Sequence, residues 1–148
     1  MKTIYFLMLL SAVALTQCKA PKSTENDQKH SNPMEYPLVG TYWKVIEVNG
    51  DTVSTHNSME REAYIMLGKD NKFQGNGSCN TLMGSYEIKE GNRISFSGVG
   101  STMMACPAME TESKVLQAIQ TCDNYSLHGK YLTLNKARMA PLIRLEAK

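Results

Sequence analysis

The chain has 148 residues, which points to one domain, and 42% of it is hydrophobic against 20% charged, enough to close one modest core. Sixteen basic against 14 acidic side chains leave a net charge of +2. No long tract of the chain is strongly basic, so no electrostatic footprint for nucleic acid is present and a nucleic-acid partner is not expected.

Residues 1–17 have the layout of a signal peptide. Lys2 gives a short positive start, and the apolar run from Ile4 to Leu15 is too short to span a bilayer, which needs about 20 residues. The run ends in Leu15-Thr16-Gln17-Cys18, which resembles a bacterial lipobox, where cleavage precedes a cysteine that becomes acylated. Gln17 departs from the small residue usual there, which leaves a soluble secreted protein as the alternative. Cys18 is accordingly the expected lipidation site, with the membrane as a partner through the anchor. Acyl chains hold a small domain to a membrane by about 0.8 kcal/mol per buried methylene. Lys19 is not the aspartate that favours inner-membrane retention, so the outer membrane, facing the periplasm, is the expected location.

Residues 18–37 are rich in Lys, Ser, Asn, Glu and Pro and cannot bury enough apolar surface to offset ordering. They read as a flexible polar tether, with His30 solvated in it. The folded domain is expected over 38–148. There Gly40 to Val48 alternates towards Asn49-Gly50, a hairpin turn pair. Glu62 to Gly68 and Lys72 to Ser78 flank the turn Lys69-Asp70-Asn71, and Gly84 to Glu90 leads through Gly91-Asn92 into Arg93 to Val99. Residues 107–122 break this rhythm: Pro107 suits a first helical turn, Glu110 and Glu112 suit the positive end of the dipole, and Val115, Leu116, Ile119 and Cys122 form a stripe. Asn124 to Gly129, Lys130 to Lys136 and Ala140 to Ala147 give three more strands. The predicted fold is α+β, mainly β with one helix: an antiparallel, curled, barrel-like meander with the helix packed against it.

Three blocks, Gly75-Asn76-Gly77-Ser78-Cys79-Asn80 running to Tyr86-Glu87-Ile88, Ser101 to Ile119, and Tyr125 to Leu134, resemble the META domain, the family that includes the HslJ-type proteins. The resemblance covers roughly residues 38–146. The positions that carry it are Gly77, Asn80, Gly84, Tyr86, Ser101, Thr102, Met104 and Glu112, with Trp43 after Gly40 at the usual start. It implies a small β-rich fold, often secreted or lipid-anchored, associated in some members with stress, and with no established enzymatic activity. Ser78, inserted between glycine and cysteine, is a mild departure.

With Cys18 assigned to lipid, Cys79, Cys106 and Cys122 allow three pairings from the residues alone. The resemblance implies Cys79–Cys106. Their spacing lacks the C-x-x-C pairs of zinc sites and redox motifs. Gly75 to Ser78 and Gly98 to Thr102 lack the lysine of a phosphate loop, and the glycines read as turn, bulge or close-approach positions. Ser101 and Thr102 read as local hydrogen-bonding residues or as an exposed pair able to touch a ligand. Met66, Met83, Met103, Met104, Met109 and Met139 read as core filling, and Cys122 as a buried inert thiol.

No metal, cofactor or catalytic residue is expected: there is no nucleophile elbow, and nothing selects His56 or His128 as a base. The expectation is a monomeric cell-envelope lipoprotein whose domain is a non-catalytic binding or stress-protection module for an unknown envelope protein or glycan. The alternatives are a carrier holding a small apolar ligand inside the curled sheet, and a hydrolase-like enzyme.

Overall fold

A computed structural model describes residues 36–54, 61–138 and 140–148. The signal segment, Cys18, most of the tether, His56 and Met139 lie outside the described residues.

Nine strands and one helix are described: β1 (Tyr42–Val48), β2 (Asp51–Thr52), β3 (Tyr64–Leu67), β4 (Lys72–Asn76), β5 (Thr81–Lys89), β6 (Arg93–Ser101), α1 (Met109–Thr121), β7 (Asn124–His128), β8 (Tyr131–Asn135) and β9 (Pro141–Ala147). The strands pair antiparallel in the order β2-β1-β3-β4-β5-β6-β7-β8-β9, and β1 also pairs with β9. The sheet therefore closes on itself as a ring, with β2 continuing one edge of β1 beyond β3. Local turn chemistry sets the hairpins. Asn49 and Gly50 both take positive φ (50° and 89°), which is what the two-residue turn between Val48 and Asp51 demands, and Gly91 and Asn92 (70° and 59°) do the same in the longer turn between Lys89 and Arg93.

Closure has a different origin. Trp43, Lys44, Val45, Glu47 and Val48 pair with residues of β9 from Ala147 back to Ile143, with a bulge between Val45 and Glu47. The weakest seam is β6–β7, a single pair between Arg93 and Asn124. These strands are the two that α1 connects in sequence, and the helix packs on β6, β1 and β9.

Strand alternation sends one set of side chains inward. Trp43, Val45, Ile65, Leu67, Phe73, Leu82, Ile94, Leu132, Leu134, Ile143 and Leu145 form one buried cluster with Val115 and Ile119 of the helix. The Trp43 indole N–H donates to Leu38 O at 3.0 Å, so the largest core side chain leaves no polar atom unpaired. The helix begins at Met109 rather than Pro107, which sits in the preceding turn, and its N-cap Ala108 supplies no side-chain cap. It buries Glu112, Val115, Ala118 and Ile119, so its inner stripe starts on a carboxylate that the sequence suggested only as a first-turn acid at the positive end of the dipole.

Methionine placement corrects the sequence reading. Met66 is half-buried, and Met83, Met103, Met104 and Met109 are exposed, so none of the described methionines fills the core. The branched and aromatic side chains of the strands already occupy that volume.

Candidate functional site

The loop between β4 and β5 is built around Asn80, which is fully buried. Its amide Nδ2 donates to Glu112 Oε1 and to Met104 O, both at 3.0 Å. Its Oδ1 accepts from the Thr102 hydroxyl and from Met104 N–H, both at 2.8 Å. The Asn80 backbone N–H completes the set by donating to Glu112 Oε2 at 2.6 Å. One side chain thus uses all of its hydrogen-bonding capacity to hold three segments: its own loop, the stretch after β6, and the helix.

The neighbours serve the same node. Asn76 Oδ1 accepts from Ser78 N–H at 2.9 Å and Gly77 N–H donates to Asn80 O at 2.9 Å, which holds Ser78 at a φ of 97° that non-glycine residues rarely adopt. A Cβ on Gly77 would lie 2.7 Å from Glu112 Cγ, so glycine lets the loop close over the carboxylate. Gly77 and Gly75 both have ordinary backbone angles, so they permit close approach rather than a turn. Thr102 is the hydrogen-bonding residue the sequence suggested: its hydroxyl also accepts from Thr81 N–H at 3.2 Å. Ser101 is half-buried at the end of β6, opposite Leu82.

Cys79 and Cys106 form a disulfide with Cα atoms 6.2 Å apart, joining the same loop to the segment entering the helix. Cys122 is free and buried, and burial pushes its thiol up to about 12, aided by the nearby Asp123 carboxylate. Tyr86 ties β5 to the β3–β4 turn: its hydroxyl donates to Gly68 O at 2.6 Å. Gly84 sits at the bulge between β5 and β6, and a Cβ there would meet the Phe73 ring at 2.5 Å. The positions named in the sequence therefore hold the domain together, and most of them touch one another rather than an open surface.

Open surface lies on the other side of the wall. Tyr42, Met66, Gln74 and Met83 are in register across β1, β3, β4 and β5, and they face outward. An open trough of about 850 Å³ follows this row, lined also by Gly40, Lys72, Ser85 and Gly98, with Phe73 reaching it beneath the bare Gly84. Met66, Leu67, Phe73, Leu82 and Met83 are its apolar lining residues. Its charges are one Asp70 and one Lys72, whose ammonium donates to Ser85 Oγ at 2.9 Å.

Beside it, Tyr42 and Tyr64 stack at 4.3 Å between ring centroids. The Tyr42 hydroxyl donates to Glu62 Oε1 at 3.1 Å, and Lys148 and Lys44 bind the same carboxylate at 2.6 and 3.0 Å. Burial pushes Glu62 up, but the hydrogen bonds from Lys148, Lys44 and Tyr42 outweigh it and hold the group below the usual carboxylate range. Burial, then the Glu62 carboxylate, pushes the Tyr42 hydroxyl up to about 12.

His128 ends β7, exposed, opposite Tyr131 in the β7–β8 hairpin. Among the described residues no group of three or more His, Cys, Asp or Glu side chains is placed to hold a metal ion.

Comparison with known families matches residues 36–148 to the META domain. The chain belongs to the META domain family. Solved structures similar to it include an NMR structure of a protein from Burkholderia xenovorans, 22% identical with a TM-score of 0.58, covering 75% of this chain and 83% of that one. A second NMR structure is 20% identical at a TM-score of 0.57, covering 75% and 90%. A crystal structure of a DUF4847 family protein from Bacteroides vulgatus is 14% identical at 0.52, covering 74% and 93%. At these identities the likeness is one of fold. No curated protein matches the chain.

In this META domain, the resemblance residues Gly77, Asn80, Thr102, Met104 and Glu112 converge on one buried hydrogen-bonded clamp, and Met104 joins it through its backbone alone. Sequence reading placed Asn80 and Glu112 in the motif without their contact. The available signal was an acid in the first helical turn paired with a small-residue loop, which an ordinary dipole argument already explained.

Proposed function

We propose that the chain is a cell-envelope lipoprotein, anchored through Cys18 and acting as a monomer, whose META domain is a non-catalytic binding module. Its working surface is the outer trough on β3–β4–β5. The observation that carries this reading is the contrast between the two faces of that wall. Inward, Trp43, Val45, Leu145 and Ile119 are each at most 1% exposed and fill the ring. Outward, Met66, Gln74 and Met83 line a trough of the size that small-molecule and peptide sites have, and α1 packs mainly on β6, β1 and β9.

The trough's chemistry favours a partner with an extended, uncharged, partly apolar segment. Methionines adapt to varied side chains, and one Lys72 and one Asp70 leave the lining no net charge to attract an ion. An envelope protein segment fits this description better than a charged glycan. The carrier reading would need the ring's interior, and the core side chains occupy that volume. The enzyme reading would need a base beside a nucleophile, and His128 stands exposed at a hairpin end.

A photo-crosslinking residue at position 74, introduced in the native host, tests the binding reading. A discrete adduct from position 74 with none from the control position 87 on the exposed part of β5 is expected. Equal labelling from both positions, or none, would refute it. The anchor is tested separately: Cys18→Ala is expected to abolish acylation and membrane fractionation, and unchanged fractionation would refute that part.

A further inference from the structure

Four of the six exposed large apolar side chains among the described residues are methionines: Met103 at 97%, Met83 at 52%, Met104 at 48% and Met109 at 42%. A thioether at the surface is readily oxidised by two electrons, and in a core the resulting sulfoxide would disrupt packing. Here the fold is arranged so that it would not. Met104 contributes to the Asn80 clamp through its backbone N–H and carbonyl, leaving its sulfur outside the hydrogen bonding. Met103 projects into solvent, and Met109 occupies the exposed first turn of α1. The Cys79–Cys106 bridge and the Asn80 bonds pin the backbone on both sides of Met104, independently of any methionine side chain. Meanwhile other oxidisable groups are shielded: Trp43 is 0% exposed and Cys122 is 5% exposed.

We propose that Met103, Met104, Met109 and Met83 form an oxidant-consuming surface, a set of sulfoxidation sites that take up hypohalous acid while the fold stays intact. In each event the thioether sulfur gives up two electrons and gains one oxygen. Hypochlorous acid is reduced to chloride, and one proton is released. The product is methionine sulfoxide, a polar side chain at a position that already faces water and lies outside the core cluster, so the core keeps its contacts. The inference stands on exposure and backbone anchoring and does not depend on the trough being a binding site.

The test is a titration of the purified full-length chain with hypochlorous acid, read by peptide mass mapping and thermal unfolding. Met103, Met104, Met109 and Met83 are expected to gain 16 Da (about one oxygen each) before Met66 and Trp43 are modified. The thermal midpoint at that point is expected to move by less than about 4 °C. In the chain carrying Leu at all four positions (M83L, M103L, M104L and M109L), Trp43 fluorescence is expected to decay at a lower dose of oxidant. The proposal is overturned if Met66 or Trp43 is modified as early as Met103, if partial sulfoxidation unfolds the domain, or if the leucine variant protects Trp43 equally well. The peptide map of the unmodified sequence decides the first point without any variant.

Discussion

The carboxylate of Glu112 and the amide of Asn80 meet across 32 residues of sequence, with Asn80 N–H donating to Oε2 at 2.6 Å and Nδ2 to Oε1 at 3.0 Å. Both residues are buried, so breaking the pair strands polar groups away from water. Asn80→Ala is expected to lower the unfolding free energy by about 3 kcal/mol, because Glu112, Met104 and Thr102 all lose partners. Glu112→Gln turns one acceptor into a donor facing Asn80 and is expected to cost about 2 kcal/mol. Urea unfolding with an unchanged slope checks both, and a shift under 0.5 kcal/mol (about the scatter of surface substitutions) would count against the clamp.

The Cys79–Cys106 bridge closes a loop of 27 residues. In the chain-entropy model, removing it with Cys79→Ser and Cys106→Ser costs about 3.5 kcal/mol. Because the bridge and Asn80 restrain the same segment, the costs are expected to be non-additive when Asn80→Ala is combined with the serine pair. Strict additivity in a double-mutant cycle would show that the two devices act separately.

Cys122 is held as a thiol. Its pKa is raised in the folded chain, so folding opposes the thiolate, and stability is expected to fall as pH rises above about 8.5, where the unfolded thiol ionises. In the Cys18→Ser chain, iodoacetamide at pH 8.5 is expected to label no cysteine in the native state and one in urea. Rapid native labelling of Cys122 would contradict its burial.

Glu62 titrates in the opposite sense. Its folded pKa is depressed, so its ion pairs with Lys148 and Lys44 contribute stability above the unfolded value of about 4.3, and that contribution is lost as pH falls through the folded value. Glu62→Gln is therefore expected to cost about 1 kcal/mol at pH 7, since the group is partly exposed, and the difference should shrink towards pH 3. A cost that stays constant across that range would assign the effect to something other than charge.

Local signals in the sequence reached further than non-local ones. The turn pairs Asn49-Gly50 and Gly91-Asn92 marked two hairpins, and the apolar stripe from Val115 to Ile119 marked the helix, because each is written within a few residues. Pairing of Trp43 with Ala147 has no such signature, since nothing local says that the first and last strands are neighbours. Thr81 to Met83 fell between the strand stretches read from the sequence, Lys72 to Ser78 and Gly84 to Glu90, yet they pair with β4 and begin β5. The clamp was named residue by residue through resemblance, but its geometry was invisible: Glu112 reads as an ordinary first-turn acid until the loop carrying Asn80 is laid over it. The methionines misled because an apolar residue is assigned to the core by default, and only three-dimensional packing shows that branched aliphatic and aromatic side chains had already filled it.

The proposed division of labour has the family's signature residues holding the fold and the outer trough binding the partner. It is tested most directly by comparing crosslinking from position 74 in the Asn80→Ala and Met83→Lys backgrounds, each kept below its unfolding midpoint. Asn80→Ala is expected to keep the adduct despite its lost stability, and Met83→Lys to lose the adduct while unfolding like the original chain. An adduct that disappears in folded Asn80→Ala and persists in Met83→Lys would contradict the account.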